Sequence, residues 1–333
     1  MPSGSPAPTC EHFVTLFDNN FLPMGLCLHR SLCEQALPFH LWILCLDDVL
    51  ERNLKALSLP NVSLIPLREA EHARLLEVKP SRSRGEYCWT LTPFAPQFVF
   101  DRDPNIVRVT YLDADLFFFD DPRELLAEFA ESGRHVLITE HAYDPRYDKT
   151  RRSGRFCVQF VTFRRTAEAE SVMHWWQDRC LEWCYARVEA GKFGDQKYLD
   201  EWPERFGDAV HILRQKERTL APWNASYFER EQGGHLAPVF YHFHSLRLIR
   251  PGTILLYSGY DIGTAARALY QIYQTHLSEA LARLRAGQIP IPYLPLPRDL
   301  RSRLRHLKRG LTGGNGYAPL PVGAPQPMGR AGG

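Results

Sequence analysis

The stretch Val109-Thr-Tyr-Leu-Asp113-Ala-Asp115-Leu-Phe-Phe-Phe119 decides how the chain is read. A β-like run delivers two carboxylates at positions i and i+2 and then turns apolar again. Side chains so spaced on an extended chain point to the same side. Two adjacent carboxylates repel, and burying them unpaired costs on the order of several kcal/mol. The apolar flanks argue against an open surface, so something cationic must offset them. A hard divalent ion, Mn2+ or Mg2+, suits such oxygen ligands and keeps open positions for substrate phosphates. A strand tip in an α/β sheet is also where ligands commonly bind.

Working outward toward the N-terminus, strand and helix signals alternate. His12–Phe17 is a short apolar strand, and Leu22–Gln35 has helical spacing. Phe39–Leu46 is a near-continuous apolar run, as in strands buried on both faces. Asp47 or Asp48 caps a helix reaching Leu57, and Asn61–Leu67, Ile106–Leu112 and His135–Thr139 read as further strands. Pro122 opens a helix running to Ala130. Repeated β-α units predict an α/β fold with a mostly parallel sheet covered by helices on both faces. Beyond Arg151 the pattern is mixed: strands at Phe156–Phe163, Val210–Leu213 and Val239–Phe243, and a long helix capped by Thr166 and reaching Tyr185, whose tryptophans read as core.

Composition bounds the function. The 333 residues carry 40 Lys+Arg against 38 Asp+Glu, a net charge of +2, which lacks the basic surplus of a nucleic-acid binder. No apolar run approaches the roughly 20 residues of a membrane span, and residues 1–8 show no secretory signal. The 8 cysteines form no CxxC pair and read as buried free thiols, so a cytoplasmic location is expected. Residues 1–10 and the Gly/Pro-rich stretch 310–333 are expected to be disordered tails flanking a catalytic domain, 11–275, and a basic helical segment, 276–309. Within that segment RDLRSRLRHLKR, 298–309, puts Leu300, Leu304 and Leu307 on one helical face, so peripheral contact with the inner face of a membrane and a solvated basic helix end are both open readings.

Four matches in chain order make the sequence resemble the nucleotide-sugar glycosyltransferases of the GT-A fold, most closely family 8 and related bacterial proteins, over roughly residues 12–250. His12–Phe21 resembles the opening strand and turn, which implies Thr15, Phe17, Asp18 and Asn20 as nucleotide contacts. Asp113-Ala114-Asp115 resembles the family's Asp-x-Asp, with both aspartates on metal and Asp113 also on ribose. Gly194-Asp195-Gln196 resembles a helix-start motif whose Asp and Gln face the sugar near its anomeric carbon; the plain alternative is Asp195 as an N-cap. Val239-Phe-Tyr-His242-Phe-His244-Ser245 resembles the C-terminal histidine motif, with His242 as third metal ligand and His244 as a phosphate or acceptor contact, although an imidazole at either position could reach the metal.

The resemblance implies a GT-A fold with a single Rossmann-like mixed, mostly parallel sheet. It further implies Mn2+- or Mg2+-dependent transfer of a hexose from a UDP-sugar to a glycan or lipid-linked acceptor, with retention, as in bacterial polysaccharide biosynthesis. The sequence departs from the family in three places. Phe156-Cys-Val-Gln159-Phe160 stands where the family has Asn-x-Gly, Arg247 stands near the diphosphate-binding lysine, and Arg84 is the available arginine before the metal strand. Asn224-Ala-Ser226 has the form of a glycosylation sequon that a cytoplasmic protein would not use, and Trp223-Asn224 is assigned to the acceptor side. Two other readings stand beside this one: a GT-A scaffold that binds nucleotide sugars without catalysis, and a phosphatase of the haloacid dehalogenase type, disfavoured because Leu116-Phe-Phe follows the acids in place of small residues.

Overall fold

The computed structural model describes residues 10–296 and 300–319. Strand β1 (Glu11–Phe17) pairs in parallel with β2 (Phe39–Cys45), which pairs with β3 (Val62–Pro66). On its other side β1 pairs in parallel with β4 (Arg108–Leu112). With β6 (Val136–Glu140), β7 (Phe156–Arg164) and β8 (Val210–Ile212) these make a seven-stranded sheet, order β3-β2-β1-β4-β7-β6-β8. Only β7 runs antiparallel to its neighbours, so the sheet is mixed and mostly parallel, as the alternation of elements predicts.

Two apolar layers hold the sheet. Phe13, Leu41, Phe129 and Phe160 belong to one core cluster, and Val14, Leu44, Val161 and Trp176 to the other. Neighbouring residues of one strand fall in opposite clusters because their side chains alternate across the sheet. Helix α1 (Leu22–Gln35) packs against the long helix Ala265–Ala286, and Asp47 caps α2 (Asp48–Leu57) by accepting from Leu50 N at 2.7 Å. Thr166 caps the helix Ala167–Glu182, which stops three residues short of the expected Tyr185 because Trp183 turns extended and buries its ring.

A small second sheet serves the site directly. β5 (Leu116–Phe118) lies antiparallel to β10 (Phe240–His242), with β9 (Thr219–Leu220) beyond it. A third sheet contains β11 (Arg247–Arg250), β12 (Thr253–Ser258) and β13 (Asn315–Pro319).

The C-terminal third corrects the expected boundaries. Ala265–Ala286 is one continuous helix, so position 275 is no domain limit, and the basic segment is a separate helix, Leu300–Gly313. Residues 310–319, expected to be without structure, end that helix and add β13 to β12, with Ile254 opposite Ala318. Backbone pairing at a sheet edge needs no apolar side chains, and Gly316 leaves room for the Tyr257 ring, which would lie 2.3 Å from a Cβ there. The rest of the two expected tails, 1–9 and 320–333, lies outside the described residues. Among the described residues no helix is long and apolar enough to cross a membrane.

Candidate functional site

β4 ends at Leu112, and Asp113-Ala114-Asp115 forms the turn that hands the chain from the large sheet to β5. Register fixes this turn from both sides. Asp113 N donates to Gln159 O of β7 at 3.1 Å, and Phe243 N donates to Asp115 O at 2.9 Å. The pairing of His242 with Leu116 then sets the imidazole over the two acids. His242 Nε2 lies 3.1 Å from Asp115 Oδ1 and 3.9 Å from Asp113 Oδ2. One ligand atom from each of the three residues lies within 4.8 Å of the others.

The donor set fits a divalent cation. His242 Nδ1 is 2.8 Å from Gln159 Oε1, and an amide oxygen only accepts, so Nδ1 carries hydrogen and Nε2 is the atom turned to the acids. Burial raises the Asp113 carboxyl to about 6, with the Asp115 charge adding to the rise and His242 opposing it. Asp115 keeps its charge: burial works against it, but the charge and hydrogen bond of His242 hold its pKa below the usual range. Two acids compressed until one resists ionising form a site that a cation relieves.

These residues sit in a cleft of about 1000 Å³. At one end β1 stops at Phe17, and Asp18 accepts from Asn20 N at 2.9 Å and from Arg84 Nε at 2.8 Å. Arg84, at the start of the helix Arg84–Leu91, also pairs with Asp47. Phe17, Asp18 and Arg84 line the cleft. Thr15 and Asn20 do not: Thr15 is fully buried one turn of the pleat earlier, and the Asn20 amide bonds back to Asp18 Oδ2 at 3.1 Å. Those two expected contacts are thus supports of the strand end.

Gly194, Asp195 and Gln196 line another wall of the cleft. Gly194 has φ +56° with a ring carbon of Trp89 3.4 Å from where a Cβ would sit, so the turn favours glycine. Trp176 Nε1 donates to Asp195 O at 2.9 Å and holds the turn from the core. Asp195 sits at the N-cap position but makes no capping bond; its Oδ2 is buried without a partner, and burial together with the Asp113 charge raises its pKa to about 7. Gln196 Nε2 donates to Ser153 O at 2.8 Å.

The C-terminal motif divides. Ala114, His242 and His244 line the cleft, the two imidazoles 5.6 Å apart and perpendicular. His244 is open to the cleft yet walled by protein, and that burial with the His242 charge keeps it neutral. Arg247 is misplaced by the alignment. Ser245 takes φ +71°, the chain reverses into β11, and Arg247 opens on a neighbouring cavity with Arg303 and Tyr317. Trp223 lines the cleft as expected, whereas Asn224 is buried, accepting from Ala221 N at 2.8 Å and donating to His141 O at 3.1 Å. That burial also removes the sequon from any modifying enzyme.

Sequence reasoning missed one wall. The connection that includes His141, Tyr143, Arg146, Lys149 and Arg152, with Tyr260 and with Lys308 and Arg309 of the basic helix, completes the cleft. Gln159 was noted only as a departure from the family; its role follows from the β4–β7 register, which no local pattern reveals.

No protein-family model matches the chain. It is 32% identical over 250 residues to the uncharacterized protein YfnD of Bacillus subtilis (strain 168), covering 72% of this chain and 78% of that one. It is 30% identical over 253 residues to the uncharacterized protein YfnF of the same organism, covering 71% and 82%. Among solved structures, an active-site mutant of LgtC superposes with a TM-score of 0.51 at 14% identity, over 88% of this chain and 99% of that one. LgtC is described elsewhere as a galactosyltransferase. The bifunctional glycosyltransferase WbbM gives a TM-score of 0.50 at 16% identity, over 84% of this chain and 52% of its own length. At such identities the likeness shows the fold, which is that of the GT-A glycosyltransferases.

Proposed function

We propose that this chain, which belongs to the same family as the Bacillus subtilis proteins YfnD and YfnF, is a metal-dependent glycosyltransferase acting on a nucleotide-diphosphate sugar. The observation that carries the reading is the convergence of Asp113, Asp115 and His242 inside one deep cleft of a GT-A fold. Those three side chains would hold Mn2+ or Mg2+. An ion held there would supply the positive charge that a departing nucleoside diphosphate requires.

The chain's own residues arrange the rest. Phe17, Asp18 and Arg84 form the end that receives the nucleoside, with Asp18 free to accept from ribose or base once Arg84 shifts toward phosphate. Asp113 Oδ1, which accepts from the Tyr111 hydroxyl at 3.0 Å, has a further lone pair for a ribose hydroxyl. Asp195, with an unpartnered buried oxygen and a pKa near neutrality, suits a sugar hydroxyl as donor or acceptor. Gln196 is anchored through its amide nitrogen, which leaves the amide oxygen as the polar atom near the anomeric carbon. Uridine as base, a hexose as cargo and retention of configuration complete the proposal, with a glycan or lipid-linked acceptor in bacterial polysaccharide synthesis. Leu304, Leu307 and Leu311 are exposed on the basic helix and support peripheral contact with an anionic membrane; the Leu300 side chain lies outside the described residues.

Calorimetric titration of UDP with and without Mn2+ tests the reading: affinity that requires the cation and disappears in Asp115→Asn is the expected result. Hydrolysis of a UDP-hexose in the same buffer separates an enzyme from a scaffold that only binds.

A further inference from the structure

Every cation in the cleft repels its like, so the way each is offset is informative. Arg84 is held by Asp18 and Asp47, and Arg146 by Asp144 and Asp261. Lys149 and Arg152 are different. Lys149 Nζ donates to the Tyr260 hydroxyl at 2.6 Å and lies 4.4 Å over its ring. Arg152 lies 5.0 Å over the Phe193 ring. Among the described residues neither has a carboxylate partner. The basic helix brings a third cation to the same wall: Arg309, whose stem passes 3.1 Å from the Cβ position of Gly259. The ammonium of Lys149 is desolvated against Tyr260, and with Arg309 and Arg152 beside it its pKa falls to about 8. A group so strained in its charged form is stabilised by an anion from outside the chain.

The neighbours of this cluster indicate what carries that anion. Tyr143 and Trp223 present rings 6.3 Å apart on the adjoining wall, and Tyr147 meets Tyr260 edge-on at 5.2 Å. Tyr143, Tyr147 and Trp223 line the cleft with this cluster, and aromatic edges beside charge-assisted donors suit a sugar bearing a phosphate. The end of the cleft proposed for the nucleoside, at Phe17 and Asp18, is built from other elements.

Resting on the glycosyltransferase reading above, we infer that Lys149 and Arg152, with Arg309 of the basic helix, form an anion subsite for the acceptor, so that the acceptor is an anionic, phosphate-bearing sugar.

Inorganic phosphate titrated into protein already loaded with UDP and Mg2+ tests this, using the wild type, Lys149→Met and Arg152→Gln, each shown by its thermal melt to be folded. Phosphate is expected to bind the loaded wild type, and each substitution is expected to weaken it roughly tenfold or more while leaving UDP–Mg2+ affinity unchanged. Glucose 6-phosphate is expected to bind the loaded protein at least about tenfold more tightly than glucose. Phosphate that binds only unloaded protein, or substitutions that weaken UDP–Mg2+, would assign the cluster to the donor diphosphate and overturn the inference; so would equal binding of the two sugars. Failure of the wild type to bind UDP–Mg2+ removes the donor reading instead, and the phosphate titration of unloaded protein then still decides whether the subsite exists.

Discussion

The two ends of the cleft treat positive charge in opposite ways. At the β1 end Arg84 is clasped by Asp18 and Asp47, and each of those acids also caps a turn, Asp18 through Asn20 N and Asp47 through Leu50 N. Each carboxylate therefore positions backbone and side chain together. At the far wall Lys149 and Arg152 rest on aromatic rings, and among the described residues neither forms an ion pair, although Asp148 lines the cleft nearby. The cation of the first end is already matched by acids, whereas the two cations of the second have no ion-pair partner among the described residues. Under the proposed function Arg84 exchanges its carboxylates for the ligand's phosphate, while a cation without such a partner acquires its stability from the ligand and so discriminates among ligands.

The largest effect should come from the floor that joins the two ends. Asp115→Asn removes a charged oxygen from the Asp-Asp-His cluster, and Mn2+-dependent UDP affinity is expected to fall by roughly 100-fold or more in a calorimetric titration. Gln159→Leu keeps the volume of a fully buried side chain but frees the His242 ring, so Mn2+ affinity followed by its electron paramagnetic resonance signal should drop roughly tenfold with the melt nearly unchanged. Unchanged Mn2+ binding in that variant would show that the imidazole is oriented by packing alone, against Trp223 at 5.3 Å.

Arg84→Met sharpens the contrast between the ends. Arg84 is 60% exposed, so its loss should cost about 1 kcal/mol, or roughly fivefold, in UDP affinity. Lys149→Met should leave that affinity alone. Equal losses in the two variants would abolish the distinction drawn here.

The last effect is on stability and not on affinity, beside the far wall. Asp144 is buried and accepts from Arg146 and Arg230, both at 2.8 Å. Burial alone would raise its pKa, but the hydrogen bonds and charge of those two guanidinium groups hold it well below the usual carboxylate range. A depressed folded-state pKa contributes stability that is fully present above the unfolded value, near 4, and is lost as pH falls through the folded one. Asp144→Asn is therefore expected to lower stability by about 1–2 kcal/mol at pH 7 in urea titrations, with the gap to wild type closing below about pH 4. A gap that stays constant with pH would assign the role of Asp144 to shape and not to charge.

Much of the site was legible because its signals are local and periodic. Asp113-Ala-Asp115 announces itself by paired acids in an apolar frame, and His242 by an apolar lead-in to two imidazoles on one face. The likeness to GT-A enzymes placed both in one site before any distance was known. What misled the reading was the turn after His244: one residue at positive φ sends Arg247 to another cavity, and nothing in Ser245-Leu-Arg247 signals the reversal. Thr15 and Asn20 adjoin Asp18 in sequence, but Thr15 is buried within the strand and Asn20, in the turn after it, bonds back to Asp18. The far wall was missed because Arg146, Lys149 and Arg152 lie in a connection dense with charge, where no period separates a site from a solvated loop.

The sequence by itself determined the layered α/β architecture, since apolar runs and helical spacing dictate which faces must be buried, and it marked the two acids and the late histidine as chemistry. Tertiary structure alone decided which other groups join them: Gln159 behind His242 by strand register, Lys149 against Tyr260 across 111 positions, and Arg309 delivered to the cleft by the basic helix. Burial pattern is a property of neighbours along the chain, but the offset of a charge depends on what packs beside it in space.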